Sequence, residues 1–281
     1  MRPLNVPEIL RRAWRLTVQQ PRRWFDMAVV PLILLLALDL LLLPDPTALM
    51  TMSAGGPIDQ GAATAFLGSV ILYFLLSLIV WTMFASAWLQ ACLDVPAAPG
   101  AIPGLSWSRT DSRVLGGIIR LVLILMAGFI LSVVVLGSGA LGGGMNPGTA
   151  MSIGVMAFFG MSPLLARSSL ILPAAAAGQN ATLGESWRRT QGNAVRLLLL
   201  LLGLVVGAYV ASFVVGGVVA AVLRGMFGTP FSVGPRLVLH LAINLASFAT
   251  GAFVLAALAS CYRQIASATV LRPVDDTRND A

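Results

Sequence analysis

The chain has 281 residues, 58% of them hydrophobic and only 10% charged, and its mean hydropathy of +0.89 is far above that of a water-soluble domain. Such a composition belongs in a bilayer. It excludes a soluble enzyme, a disordered chain and a nucleic-acid-binding domain, although the formal charge of +7 taken alone would suggest the last.

Residues 1–26 read as a cytoplasmic amphipathic segment lying along the membrane surface. Val6, Ile9, Leu10, Ala13, Trp14 and Thr17 share one helical face, Glu8, Arg11, Arg12 and Arg15 lie elsewhere, and Asn5 with Glu8 has the spacing of a capping box. Residues 27–265 form the membrane domain, with apolar runs of about 20 residues at 27–43, 65–90, 115–138, 152–173, 197–222 and 237–261. Barrel strands alternate apolar and polar residues, whereas Leu32 to Leu43 and Leu197 to Leu202 are nearly continuous. The separators are 44–63, the Pro-rich 95–104, the Gly-rich 137–149, a polar block at 178–196, and 224–236. Thr182 and Glu185 within that block cap a second short amphipathic helix, and residues 266–281 are a polar cytoplasmic tail. The expected fold class is therefore all-α, a polytopic membrane bundle of about six transmembrane helices with interfacial helices.

All 18 basic residues are Arg, so lysine Schiff-base chemistry is absent, and their distribution sets the orientation. Arg2, Arg11, Arg12, Arg15, Arg22, Arg23, Arg109, Arg113, Arg120, Arg167, Arg188, Arg189, Arg196, Arg263, Arg272 and Arg278 fall on one side of a six-span layout, leaving only Arg224 and Arg236 for the other. By the positive-inside rule both termini are cytoplasmic, as in a bacterial-type inner membrane. All six Trp residues fall in or near that inner half, as indoles at headgroup level would. The same layout puts Cys92 and Cys261 on the reducing side, as free thiols.

A repeat is visible. Trp-x-x-Thr occurs at Trp14/Thr17, Trp107/Thr110 and Trp187/Thr190, each before an odd-numbered span, with Arg23 and Arg196 six residues after the first and third Thr. This suggests three units, each an interfacial helix followed by a transmembrane hairpin. The run Ala166-Arg167-Ser168-Ser169-Leu170-Ile171-Leu172-Pro173, followed by Leu183-Gly184-Glu185-Ser186-Trp187-Arg188-Arg189-Thr190-Gln191-Gly192-Asn193, resembles the membrane domain of glycerophosphoryl diester phosphodiesterases. The likeness covers about 160–205 and is fainter over 5–40. It implies a membrane architecture but no hydrolytic activity, because the soluble phosphodiesterase domain is not among these residues. It also departs from the family at Ala174 to Ala177, where an acidic residue often follows the apolar-Pro run.

Few side chains carry chemistry. Arg167 lies within the fourth apolar run, either as a lipid-phosphate contact or as a snorkelling residue bonded to a nearby carbonyl. Arg23, Arg188, Arg189 and Arg196 join it as lipid or anion contacts, the plainer reading being positive-inside topogenesis. Asp39, in the first run, is either a proton or cation site facing the bundle interior or a hydrated group near the outer interface; a partner in Arg224, Arg236 or His240 would favour the interior. His240 is the lone imidazole and reads as an interfacial polar residue, so neither a multi-histidine metal site nor a Ser-His-Asp triad can be assembled. The glycines at 137, 139 and 142–144 form an outer turn, since no strand precedes them and no Lys follows. Gly203 and Gly207 form a GxxxG face, for packing inside the bundle or in a dimer. No cofactor and no nucleic acid is expected. The partners are the bilayer and anionic phospholipid, with any protein partner unknown. The functional expectation is a non-catalytic membrane module that engages phospholipid or a partner protein, with a small-molecule or lipid transporter as the alternative, drawn from the repeated hairpins and the prolines in spans one and four, Pro31 and Pro163.

Overall fold

A computed structural model describes residues 3–42, 60–96, 107–141, 160, 162–179, 182–228 and 233–270. Among these it is all-helical: α1 (Val6–Thr17), α2 (Pro21–Leu42), α3 (Gln60–Cys92), α4 (Arg109–Leu141), α5 (Ile171–Ala176), α6 (Leu183–Arg189), α7 (Ala194–Phe227) and α8 (Val233–Val270). Four stretches are long and apolar enough to cross a membrane: Pro21–Leu42, Thr64–Cys92, Ala194–Phe227 and Val233–Ala266. The chain is thus built as an integral membrane protein with at least these spanning helices.

The other two expected spans differ in kind. The third falls inside α4, a helix of 33 residues, about 50 Å long at 1.5 Å per residue. The fourth is described only from residue 160 onward, and there it is not one rod, because a helical run over 162–168 turns at Ser169 and Leu170 before α5 begins. Pro173 accounts for the break: it lacks an N–H, and its ring would strike the carbonyl four residues back, that of Ser169, in a straight helix.

Several boundaries also shift. α2 starts at Pro21, so Arg22 and Arg23 belong to its first turn and not to a surface segment ending at 26. α8 continues to Val270, beyond the expected start of the tail at 266. Arg224 lies in the last turn of α7 and Arg236 near the start of α8, although both were expected in a loop. Gly137 and Gly139 are helical residues of α4 rather than part of a turn. The glycines at 142–144, the loop at 44–63 and the tail beyond 270 lie outside the described residues.

α8 is the hub, packing against α7, α1, α2 and α3. Its inner face is lined by small residues, Ala252, Ala256 and Ala259, beside Phe248, all buried. Trp81 stacks on Phe248 at 4.5 Å between centroids, and Phe84 meets the same ring edge-on at 4.9 Å. The Trp88 indole donates to the Ala252 carbonyl at 2.8 Å. Trp24, Trp81 and Trp88 therefore pack within the bundle, whereas Trp14, Trp107 and Trp187 stay exposed as surface indoles. α7 is the least covered span: Tyr209, Val210, Phe213 and Val218 point outward, as lipid-facing side chains do.

Candidate functional site

α1 and α6 form because their first turns are capped. Asn5 Oδ1 accepts from the Glu8 N–H at 3.3 Å, and Thr182 Oγ1 accepts from the Glu185 N–H at 3.2 Å. In a complete capping box the glutamate would return a bond to the cap's own N–H. At α1 that N–H instead goes to Gln264 Oε1 of α8 at 3.1 Å, while Gln264 Nε2 donates to Glu8 at 3.4 Å. One glutamine thus pins the start of α1 to the end of α8.

The arginines gather at this same end of the bundle, and many are occupied with backbone. Arg23 donates to the Ala91 carbonyl at 3.1 Å, and Arg263 donates to the Cys92 carbonyl at 2.8 Å and to Asp94 at 2.6 Å. Both serve the carboxyl end of α3, where unpaired carbonyls and the helix dipole favour a cation. There Asp94 adopts a left-handed φ of 55°, with Val95 N–H bonded to Gln90 and Asp94 N–H to Ala91, the Schellman pattern. The Arg263 guanidinium bonded to Asp94 holds that carboxyl below the usual range. Arg113 donates to the Gly178 carbonyl at 2.8 Å, and Arg196 to the Leu4 carbonyl at 3.3 Å. Arg189 binds Glu185, Gln179 and Tyr262.

Arg167 stacks on the Trp187 ring, 4.1 Å from its centroid, and its carbonyl accepts from the Ser186 hydroxyl. Of the five arginines proposed as anion contacts, Arg23, Arg189 and Arg196 hold groups of this chain, Arg167 lies on an indole, and Arg188 is exposed. A different set has the freer guanidinium groups. Arg11, Arg12 and Arg15 border an open depression of about 580 Å³ along α1. The spacing that marked α1 as amphipathic already put these three together; their freedom depends on tertiary contacts that a sequence does not display.

The three Trp-x-x-Thr copies do not share one local setting. Thr17 ends α1 and Thr190 caps the end of α6; both are buried, while Trp14 and Trp187 are 54% and 39% exposed. The middle copy lies at the opposite end of its helix. Trp107 precedes α4, Thr110 is in its first turn, and Ser108 with Asp111 forms the cap, Ser108 N–H donating to Asp111 at 2.6 Å and Asp111 N–H to Ser108 at 3.2 Å.

At the other end of the bundle, Asp39 is 2% exposed, so the hydrated surface position does not apply. Tyr73 donates its hydroxyl to Oδ1 at 2.8 Å, Asn244 Nδ2 donates to Oδ2 at 2.7 Å, and His240 Nδ1 lies 3.3 Å from Oδ2. Three helices, α2, α3 and α8, meet there. His240, read from the sequence as an interfacial polar residue and named as one of three alternative partners with Arg224 and Arg236, is the one that faces Asp39; Tyr73 and Asn244 were not anticipated, since nothing in an apolar run marks which polar residue will face another.

Gly203 and Gly207 do not seat a neighbouring helix. A Cβ on either would meet nothing within 4 Å among the described residues, because the small face borders a cavity of about 520 Å³ with Trp14, Thr17, Trp24 and Phe253. The close approaches occur elsewhere, at Gly251 against Trp81, Gly117 against Leu172 and Gly216 against Ile243. Cys92 and Cys261 are buried free thiols, and no group of three or more His, Cys, Asp or Glu able to hold a metal occurs among the described residues. Comparison with family models, with curated proteins and with solved structures finds no match.

Proposed function

We propose that this chain is a non-catalytic inner-membrane module that engages anionic phospholipid headgroups through α1. The observation that carries this is the depression bordered by Arg11, Arg12 and Arg15, guanidinium groups not drawn onto helix-end carbonyls as Arg23, Arg113 and Arg263 are. Guanidinium forks match phosphate oxygens in pairs, and each Arg near an anionic leaflet adds about 1 kcal/mol. The likeness of 160–205 to the phosphodiesterase membrane domain supports a membrane role. Native mass spectrometry of the detergent-purified chain tests the reading. Wild type should retain phosphatidylglycerol over phosphatidylcholine, and the triple variant Arg11→Gln/Arg12→Gln/Arg15→Gln should lose that preference by about tenfold or more. An unchanged preference refutes it.

The buried Asp39 quartet favours the transporter as a second reading, since an intramembrane carboxylate facing other helices is a functional group by default. Its three other members, however, all converge on the Asp39 carboxylate, and neither cavity described above is lined by any of the four.

A further inference from the structure

Asp39 lies three residues before the end of α2 and His240 seven residues after the start of α8, so both stand near the end of the bundle opposite the clustered arginines. The carboxylate side chain is 2% exposed and the imidazole 25%, which makes the ring the group between the carboxylate and the surface. Both carboxylate oxygens accept neutral donors, Oδ1 from the Tyr73 hydroxyl and Oδ2 from the Asn244 amide. That is the pattern of an ionised acid, which has only acceptors to offer. A hydroxyl and an amide bring no charge, however, and a lone carboxylate among apolar helices is costly. The ion-pair partner of Asp39 is His240, with Nδ1 at 3.3 Å from Oδ2. The further charges toward this end, among the described residues, are Arg236, one turn before His240 on α8, and Arg224 in the last turn of α7. Beneath the site the bundle is closed by aromatic rings. Phe248, one turn beyond Asn244, stacks on Trp81 and meets Phe84 edge-on, and Phe84 and Phe248 are wholly buried.

We propose that Asp39 and His240 form a proton-binding site, in which the pair holds one proton taken from the aqueous phase at its own end of the bundle and thereby clamps α2, α3 and α8 together. With the proton bound, the ring is an imidazolium and the pair is neutral as a whole. When the proton leaves, it leaves from Nε2: Nδ1 keeps its hydrogen toward Oδ2, the ring becomes neutral, and the carboxylate stays negative without a countercharge. The hydrogen bonds persist while the clamp weakens. The aromatic plug confines the exchange to one end, so the site holds a proton and does not pass it through the bundle. In this scheme the folded chain keeps a proton that the unfolded chain releases more readily. Stability from the pair is therefore fully present below about pH 6.5, the ordinary imidazole value, and is lost as pH rises above it. The proposal is independent of the headgroup reading, whose arginines lie at the other end.

The chain has a single histidine, so a ring-labelled sample gives one imidazole to observe. Nitrogen NMR of the full chain in detergent at about pH 6.5, where free histidine is half protonated, should show both ring nitrogens of wild type protonated. Asp39→Asn, equal in size but uncharged, should leave the ring neutral. His240→Gln keeps a side-chain donor but has no proton to lose. Thermal unfolding should show the wild-type melting temperature falling by about 3 °C or more from about pH 6 to about pH 9, with that fall reduced by about half or more in each variant. A neutral ring in wild type overturns the proposal without recourse to any variant, as does an imidazolium that persists in Asp39→Asn. A wild-type melting temperature that does not fall, or a fall that either variant reproduces in full, also overturns it.

Discussion

At the scale of single residues, the chain uses its few polar groups as ties between helices. Asp39 shows this most clearly, because its two oxygens collect Tyr73 and Asn244 from two other helices with His240 close by. Interhelical hydrogen bonds inside a bilayer are worth only about 0.6 kcal/mol on average, but stripping the shared acceptor strands several donors at once. Asp39→Ala should therefore destabilise the protein by about 2–4 kcal/mol, and Tyr73→Phe by about 1 kcal/mol or less, measured by thermal unfolding in detergent. Equal losses for the two would mean that the carboxylate is not the centre of the cluster. Sequence reading reaches Asp39 and His240, since charge and imidazole stand out in apolar runs. It does not reach Asp94, because a left-handed helix end is ordinarily marked by Gly and here an aspartate tied to Arg263 fills that place.

At the scale of elements, legibility follows the range of the interaction. The caps at Asn5 and Thr182 are local, written in a residue and its third neighbour, and both form. Helix contacts are not local. GxxxG at Gly203 and Gly207 promises a close crossing, whereas the close approaches that form are at Gly251, where an added Cβ would stand 3.0 Å from the Trp81 ring, and further along α7 at Gly216, 3.3 Å from Ile243 of α8. The difference lies in the partner: a small residue brings helices together only if the facing helix supplies a group of matching shape. Gly251→Ala should then destabilise by about 1–3 kcal/mol through overpacking, while Gly203→Ala should leave the melting temperature unchanged or raised. Similar losses at both positions would show that Gly203 is packed as tightly as Gly251.

At the scale of the whole molecule, the contacts of Arg23, Arg113, Arg189, Arg196 and Arg263 bring the amino ends of α1, α2, α4 and α7 and the carboxyl ends of α3 and α8 to one face. That is the arrangement of alternating spans, and the positive-inside rule predicts that this face is the cytoplasmic one. Reporter fusions after residue 184 should read cytoplasmic and those after 55 and 228 periplasmic; a cytoplasmic signal at 228 would overturn the crossing of α7. The same bias is legible in the sequence because topogenesis depends on composition alone. The use of individual arginines to tie helix ends is not, because a carbonyl acceptor carries no side-chain signature.

The glutamine that pins α1 has a consequence for biogenesis. Asn5 and Gln264 are 259 positions apart, and at about 5–20 residues per second of synthesis the first waits some 13–50 s for the second to leave the ribosome. During that interval the newly made amino-terminal helix has neither its clasp nor the hub beneath it, and only the lipid surface can shelter its apolar side. α1 is thus the helix that waits longest for its protein partner while the chain is being made.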